Sequence, residues 1–204
     1  NFYASGHGPE AVLMDMDGHE LHRWHHDFWA AFPDYPVPRS NGSTHNFRRA
    51  RLLPDGSIIA IHEGLGMIRI DARSKLLWSF GGRPHHDMAV HGDRVYALSR
   101  EIHIIEGFRD GLPTVEDFVT VLDLGSGTEL SRVSVLAAVR DSERFKAILD
   151  TVPASDGDVF HSNSIQLLGG DVEAGRVMVS MRTPSAVVVL NLHTGEIEGA
   201  QQGP

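Results

Sequence analysis

Thirteen histidines stand against three tyrosines and three tryptophans in these 204 residues, and several recur beside an amide or a carboxylate. His45-Asn46, His85-His86-Asp87 and His161-Ser162-Asn163 each precede a short apolar stretch, and His62, Arg100 or Arg182 closes the returning stretch that follows. Imidazole moves protons near neutral pH, and guanidinium grips oxyanions through a rigid fork of donors. Together they suit sulfuryl or phosphoryl transfer, in which negative charge builds on the non-bridging and leaving oxygens. A structural reading competes at every position: polar groups at strand starts can bond a neighbouring backbone, and Arg100 and Arg182 can be solvated surface residues. In a regular strand adjacent side chains point to opposite faces, so only one of His85 and His86 is expected to enter a shared site, and either can be the one.

The elements that would position these residues are hairpins. Met88 to Val90, the turn His91-Gly92-Asp93 and Arg94 to Leu98 form one; Arg51 to Leu53, the turn Pro54-Asp55-Gly56 and Ser57 to Ile61 form another. The third runs from Ile165 to Leu168, through a longer turn from Gly169 to Gly175, and back along Arg176 to Val179. Counted from the last turn residue, His62 lies six positions on, and Arg100 and Arg182 lie seven on. An antiparallel hairpin brings the start of its first strand beside the end of its second, so each unit gathers its polar residues at one end. If the hairpins stand around a common axis, three such ends build one polar site.

A second hairpin type alternates with the first: Ala11 to Trp24, Met67 to Phe80, Phe118 to Val133 and Ala186 to Gly199. Its turns begin at Asp15, Asp71, Asp123 and Asn191, spaced 56, 52 and 68 residues apart, and the leading side chain is suited to capping the turn. Two hairpins per repeat give four strands, at a period near the roughly 40 to 50 residues of propeller blades. The expected fold is therefore all-β: a β-propeller of four-stranded antiparallel blades, about four of them in residues 1–204, in one domain. Helical insertions are expected near 25–39 and 134–152. With no Met at the start and a strand-like segment just before Pro204, further blades are expected outside these residues.

Composition excludes several classes. The formal charge of −9 argues against a general nucleic-acid binder, and no apolar run approaches the roughly 20 residues of a membrane span. No cysteine is present, so no disulfide or thiol chemistry operates, and no signal peptide is recognisable. His19, His22, His25 and His26 match no zinc spacing, and strand alternation would split His19 from His22, so no metal is assigned. Gly64-Leu65-Gly66 and Gly125-Ser126-Gly127 are turns without a following helix, hence not phosphate loops, and no cofactor is expected.

His85-His86-Asp87 and His161-Ser162-Asn163-Ser164 before their strands, Leu52-Leu53-Pro54-Asp55-Gly56, and Leu13 to Gly18 leading to Trp24 together resemble the bacterial arylsulfate sulfotransferases, from about Pro9 to Gly199. The resemblance implies a six-bladed propeller, periplasmic or secreted, that moves a sulfuryl group from a phenolic sulfate ester to a phenol through a sulfohistidine, without a nucleotide donor. It implies that His86 or His85, His161 and Arg182 bind the sulfuryl group and assist the leaving phenolate. Asp87 and Asn163 would orient their histidines, with His45 and Arg100 on the same rim. The family's nucleophilic histidine belongs to a later motif than any in this sequence. The competing expectations are a non-enzymatic propeller that displays a ligand- or protein-binding surface and a metal- or quinone-dependent propeller oxidoreductase.

Overall fold

A computed structural model describes residues 1–153, 157–169 and 175–203. The chain divides into two compact units, Asn1–His86 with Gly125–Thr128, and Asp87–Leu124 with Glu129–Pro204.

In the first unit β1 (Phe2–Ala4), β2 (Glu10–Met14) and β3 (Glu20–His25) form a three-stranded antiparallel sheet. β4 (Arg49–Leu52), β5 (Ile58–His62), β6 (Gly66–Ile70) and β7 (Leu76–Phe80) form a four-stranded meander. All of β5, Ile58-Ile59-Ala60-Ile61-His62, is buried, which explains why the run is β-branched without alternation: a central strand covered on both faces has no water-facing side. Ala11, Trp24, Phe47, Ile58, Ala60, Ile68 and Ile70 make one apolar cluster.

Turn chemistry fixes the registers as the leading Asp and Asn predict. Asp15 Oδ1 accepts from the amides of Asp17 and His19, and Asp71 Oδ1 from those of Arg73 and Lys75. Gly18 closes the first turn at φ 87°, but the second is closed by Ser74 at φ 63°, a left-handed conformation for which glycine is the usual choice. Between β3 and β4 the expected helical insertion is one turn, α1 (Phe28–Ala31), capped by Asp27 through the Trp29 amide at 2.7 Å.

β8 (Pro84–His91) begins in the first unit and continues into the second. There it pairs in order with β9 (Arg94–Ile104), β10 (Pro113–Asp123) and β11 (Glu129–Ser134). The next sheet is β12 (Ser162–Leu167), β13 (Arg176–Met181), β14 (Ala186–Asn191) and β15 (Ile197–Gln202). Val177, Val179 and Met181 alternate with less buried residues along β13, as do Ala186, Val188 and Leu190 along β14. These inward sets join Leu98, Val119, Val121 and Phe160 in the unit's core. The insertion after β11 is α2 (Val135–Arg140), whose Ser134 hydroxyl accepts the Ala137 amide at 2.9 Å, followed by a 3₁₀ segment at Lys146–Thr151.

The β8–β9 hairpin outruns its sequence-based end. β9 was expected to stop by Arg100, yet Glu101 to Ile104 pair with Glu116 to Pro113 and leave Ile102 and Ile104 exposed. Most of the long turn expected between Gly169 and Gly175, residues 170–174, lies outside the described residues. Among the described residues no helix is long and apolar enough to cross a membrane.

Candidate histidine-carboxylate sites

Gly64, in the tight turn after β5, donates its amide to the Pro84 carbonyl at 2.8 Å, which sets Glu63 beside the start of β8. There His86 has φ 54°, left-handed for a residue with a Cβ. Such a conformation costs about 1 to 3 kcal/mol and persists only where surrounding contacts offset it. Glu63 supplies two: its Oε2 accepts the His86 amide at 3.0 Å, and its Oε1 lies 3.1 Å from His86 Nδ1.

The reversal at His86 breaks strand alternation. Alternation predicts that His85 and His86 diverge; instead their Nδ1 atoms stand 3.0 Å apart, with rings 5.2 Å between centroids and crossed at 84°. His85 is buried at 1% exposure. Burial pushes the Glu63 carboxyl up, but hydrogen bonds from the His86 imidazole and amide outweigh it and hold the pKa down at about 2.

The second unit repeats this device with different residues. His161 has φ 48°; its amide donates to Asp158 Oδ1 at 3.1 Å, and its Nδ1 lies 2.6 Å from Asp158 Oδ2. One carboxylate thus bridges the backbone and the ring nitrogen of a left-handed histidine in both places. By geometry His86 is the counterpart of His161, and the residue before it is His85 in one case and the buried Phe160 in the other. The Arg182 amide bonds the His161 carbonyl at 3.2 Å, so these two residues adjoin across the hairpin, and the Arg182 side chain is exposed. A carboxylate on Nδ1 is the arrangement that orients an imidazole for acid-base work at Nε2.

The residues expected to orient these histidines are engaged differently. Asp158, three residues upstream, holds His161, whereas Asn163 is exposed. Asp87 Oδ2 accepts the Ile165 amide at 3.2 Å, and the buried Asp117 accepts the Ser162 amide at 2.8 Å. Both carboxylates thereby tie β12 to strands of the preceding sheet. Arg100 is half-buried opposite Asp117 in the β9–β10 register.

His45 does not share the motif. It ends a 3₁₀ turn (Gly42–Thr44) with φ −92° and is exposed. His62, at the other end of that hairpin, is fully buried between Phe28 and Phe47, with Nδ1 3.2 Å from the Ser43 carbonyl. Burial drives its pKa down to about 4, so this imidazole is a neutral core group.

The histidine run from His19 to His26 is dispersed. His19 Nδ1 pairs with Asp15 at 3.0 Å, His22 Nε2 reaches the Ala72 carbonyl at 2.8 Å, and His26 Nδ1 the Ser74 carbonyl at 3.2 Å. A cavity of about 450 Å³ in the second unit is lined by His91, Arg94, Tyr96 and His193 among others, and none of the nominated residues lines it.

Sequence reasoning missed Glu63 as a partner of His86 and Asp158 as a partner of His161. Asp158 left a usable signal, a carboxylate three residues before the histidine, at local capping distance. Glu63 is 23 residues from His86 and left none.

No protein-family model and no curated protein matches the sequence. Solved β-propellers do match its structure. BamB from Moraxella catarrhalis gives a TM-score of 0.50 at 11% identity, over 98% of this chain and 44% of that one. The β-propeller domain of Cps50 (Swd1) from Myceliophteria thermophila gives 0.56 at 12%, over 100% and 52%. A europium-containing methanol dehydrogenase gives 0.54 at 12%, over 98% and 39%. The chain spans about half or less of each of these longer proteins, and at such identity the likeness shows the fold alone: a β-propeller fold of antiparallel sheets, one of three strands and three of four.

Proposed function

We propose that the chain is part of an arylsulfate sulfotransferase-like propeller, in which His161, oriented by Asp158, works with Arg182 on the sulfuryl group of a phenolic sulfate ester. The observation that carries this reading is the 2.6 Å pairing of His161 Nδ1 with Asp158, beside the exposed Arg182. Arg182 and protonated His161 would neutralise the non-bridging oxygens. As the bond from sulfur to the aryl oxygen breaks, the His161 Nε2 proton passes to the leaving phenolate. The sulfuryl group goes to a nucleophilic imidazole, which the family resemblance assigns to a later motif, and then to the oxygen of an acceptor phenol whose proton restores His161.

The test is release of p-nitrophenolate from p-nitrophenyl sulfate by the full-length protein, with and without phenol. Phenol-dependent release that falls by about 100-fold or more in His161→Gln is expected. Release independent of phenol, or undiminished by that substitution, removes the proposal.

A second reading has its own support. Asp87 and Asp117 spend carboxylate oxygens on the amides of Ile165 and Ser162, so part of the polar set at these strand starts is structural. On that view the chain is a non-enzymatic module that displays a binding surface. His161→Gln and Arg182→Ala would then lower the melting temperature, and sulfate esters would not protect the protein.

A further inference from the structure

We infer that Glu63, His85 and His86 form a binding site for a divalent transition-metal ion of the zinc class. The three offer one ligand atom each within 4.8 Å of one another. His86 Nδ1 stands 3.0 Å from His85 Nδ1 and 3.1 Å from Glu63 Oε1. Tetrahedral zinc, with bonds of about 2.0 to 2.1 Å, holds its ligand atoms about 3.3 Å apart, close to both of these separations, and the third pair lies within 4.8 Å.

Proton bookkeeping points the same way. Glu63 Oε1 is an acceptor, so His86 must carry a hydrogen on Nδ1 to bond it. A second hydrogen on His85 Nδ1 would face the first across 3.0 Å, so His85 turns a lone pair inward. One proton is then shared between a carboxylate oxygen and an imidazole nitrogen. A divalent cation in its place takes lone pairs from all three atoms and meets the negative charge of Glu63. Two imidazoles and a carboxylate suit zinc, nickel or copper better than calcium or magnesium, and three protein ligands leave a fourth position for water or an anion.

The geometry is built rather than incidental. His86 is held left-handed by Glu63, and that backbone reversal is what swings its ring onto the His85 side. The residue before His161 is the buried Phe160, so the same fold device without a second imidazole offers one nitrogen and one carboxylate. The metal site does not rest on the roles proposed for His161, Asp158 and Arg182, which are in the second unit.

The experiment titrates the full chain, freed of metal by a chelator and of any histidine tag, with Zn²⁺ in equilibrium dialysis and with Co²⁺ by visible absorption. Expected are one ion per chain, a four-coordinate cobalt spectrum and a melting temperature raised by zinc. Glu63→Gln and His86→Gly should each weaken zinc binding by at least about 10-fold, while His22→Gln leaves it unchanged. His86→Gly removes a ligand yet supplies the residue that most readily adopts φ 54°, so the fold is retained; circular dichroism checks this, and Glu63→Gln gives an independent reading. No binding, or binding equally strong in both variants, overturns the site.

Discussion

At His86 the carboxylate that grips both the amide and the ring comes from Glu63, 23 residues earlier, whereas at His161 it comes from Asp158, three residues earlier. The bonds are the same and so is the left-handed backbone they hold. One arrangement is local and can form as the segment folds; the other requires β5 and β8 to come together first. The residue before each histidine then separates them chemically. His85 adds a third ligand atom in the first unit, while Phe160, at 1% exposure, adds apolar contact to the core of the second. A fold device that places one imidazole against one carboxylate thus offers two polar groups or three, according to a single neighbouring side chain.

The largest expected effect comes from exchanging that neighbour. Phe160→His removes a fully packed ring and should destabilise the protein by about 3 kcal/mol in urea unfolding. In a His86→Gly background, zinc should recover part of that loss, because the second unit then has its own three donors. If zinc does nothing there, the preceding residue is not what distinguishes the two sites.

His62 provides the contrast of a buried imidazole with no carboxylate grip. Its folded pKa of about 4 lies below the usual histidine value near 6.5, so the neutral form is the one folding favours. The stability it contributes is therefore complete above about pH 6.5 and declines as the pH falls towards 4, by up to about 3 kcal/mol. Unfolding of the wild type and of His62→Gln at pH 7 and pH 4.5 measures this: the variant should lose less on acidification. Equal losses would place the imidazole in water.

Asp158→Ala tests the local grip by removing both bonds to His161, and should cost about 2 kcal/mol in thermal unfolding. A change under about 0.5 kcal/mol would mean that the left-handed backbone is held by something else. The smallest effect is expected at His45, exposed and outside the motif: His45→Ala should stay within about 0.5 kcal/mol of the wild type.

The strand order was legible because turn residues and apolar runs are local signals. Asp15, Asp71 and Asn191 cap their turns through their own side chains, and β5 announces its burial by four apolar residues in a row. Extension of β9 to Ile104 was not legible, since Glu101-Ile102-His103-Ile104 becomes a strand only by pairing with Pro113 to Glu116. Likeness among the histidine motifs was read by spacing, which matched His45 with the others. The backbone at φ −92° separates it from His86 and His161.

What the sequence determined alone is the alternation of two hairpin types and the identity of the polar residues at their ends, because capping and burial periodicity act over a few residues. Tertiary structure decided which of those residues meet. A left-handed histidine is unfavourable in isolation, and it becomes stable only where folding delivers a carboxylate to its amide and ring at once. That requirement turned His86 towards His85 against strand alternation, and it chose Glu63 and Asp158 as the groups on which the candidate chemistry depends.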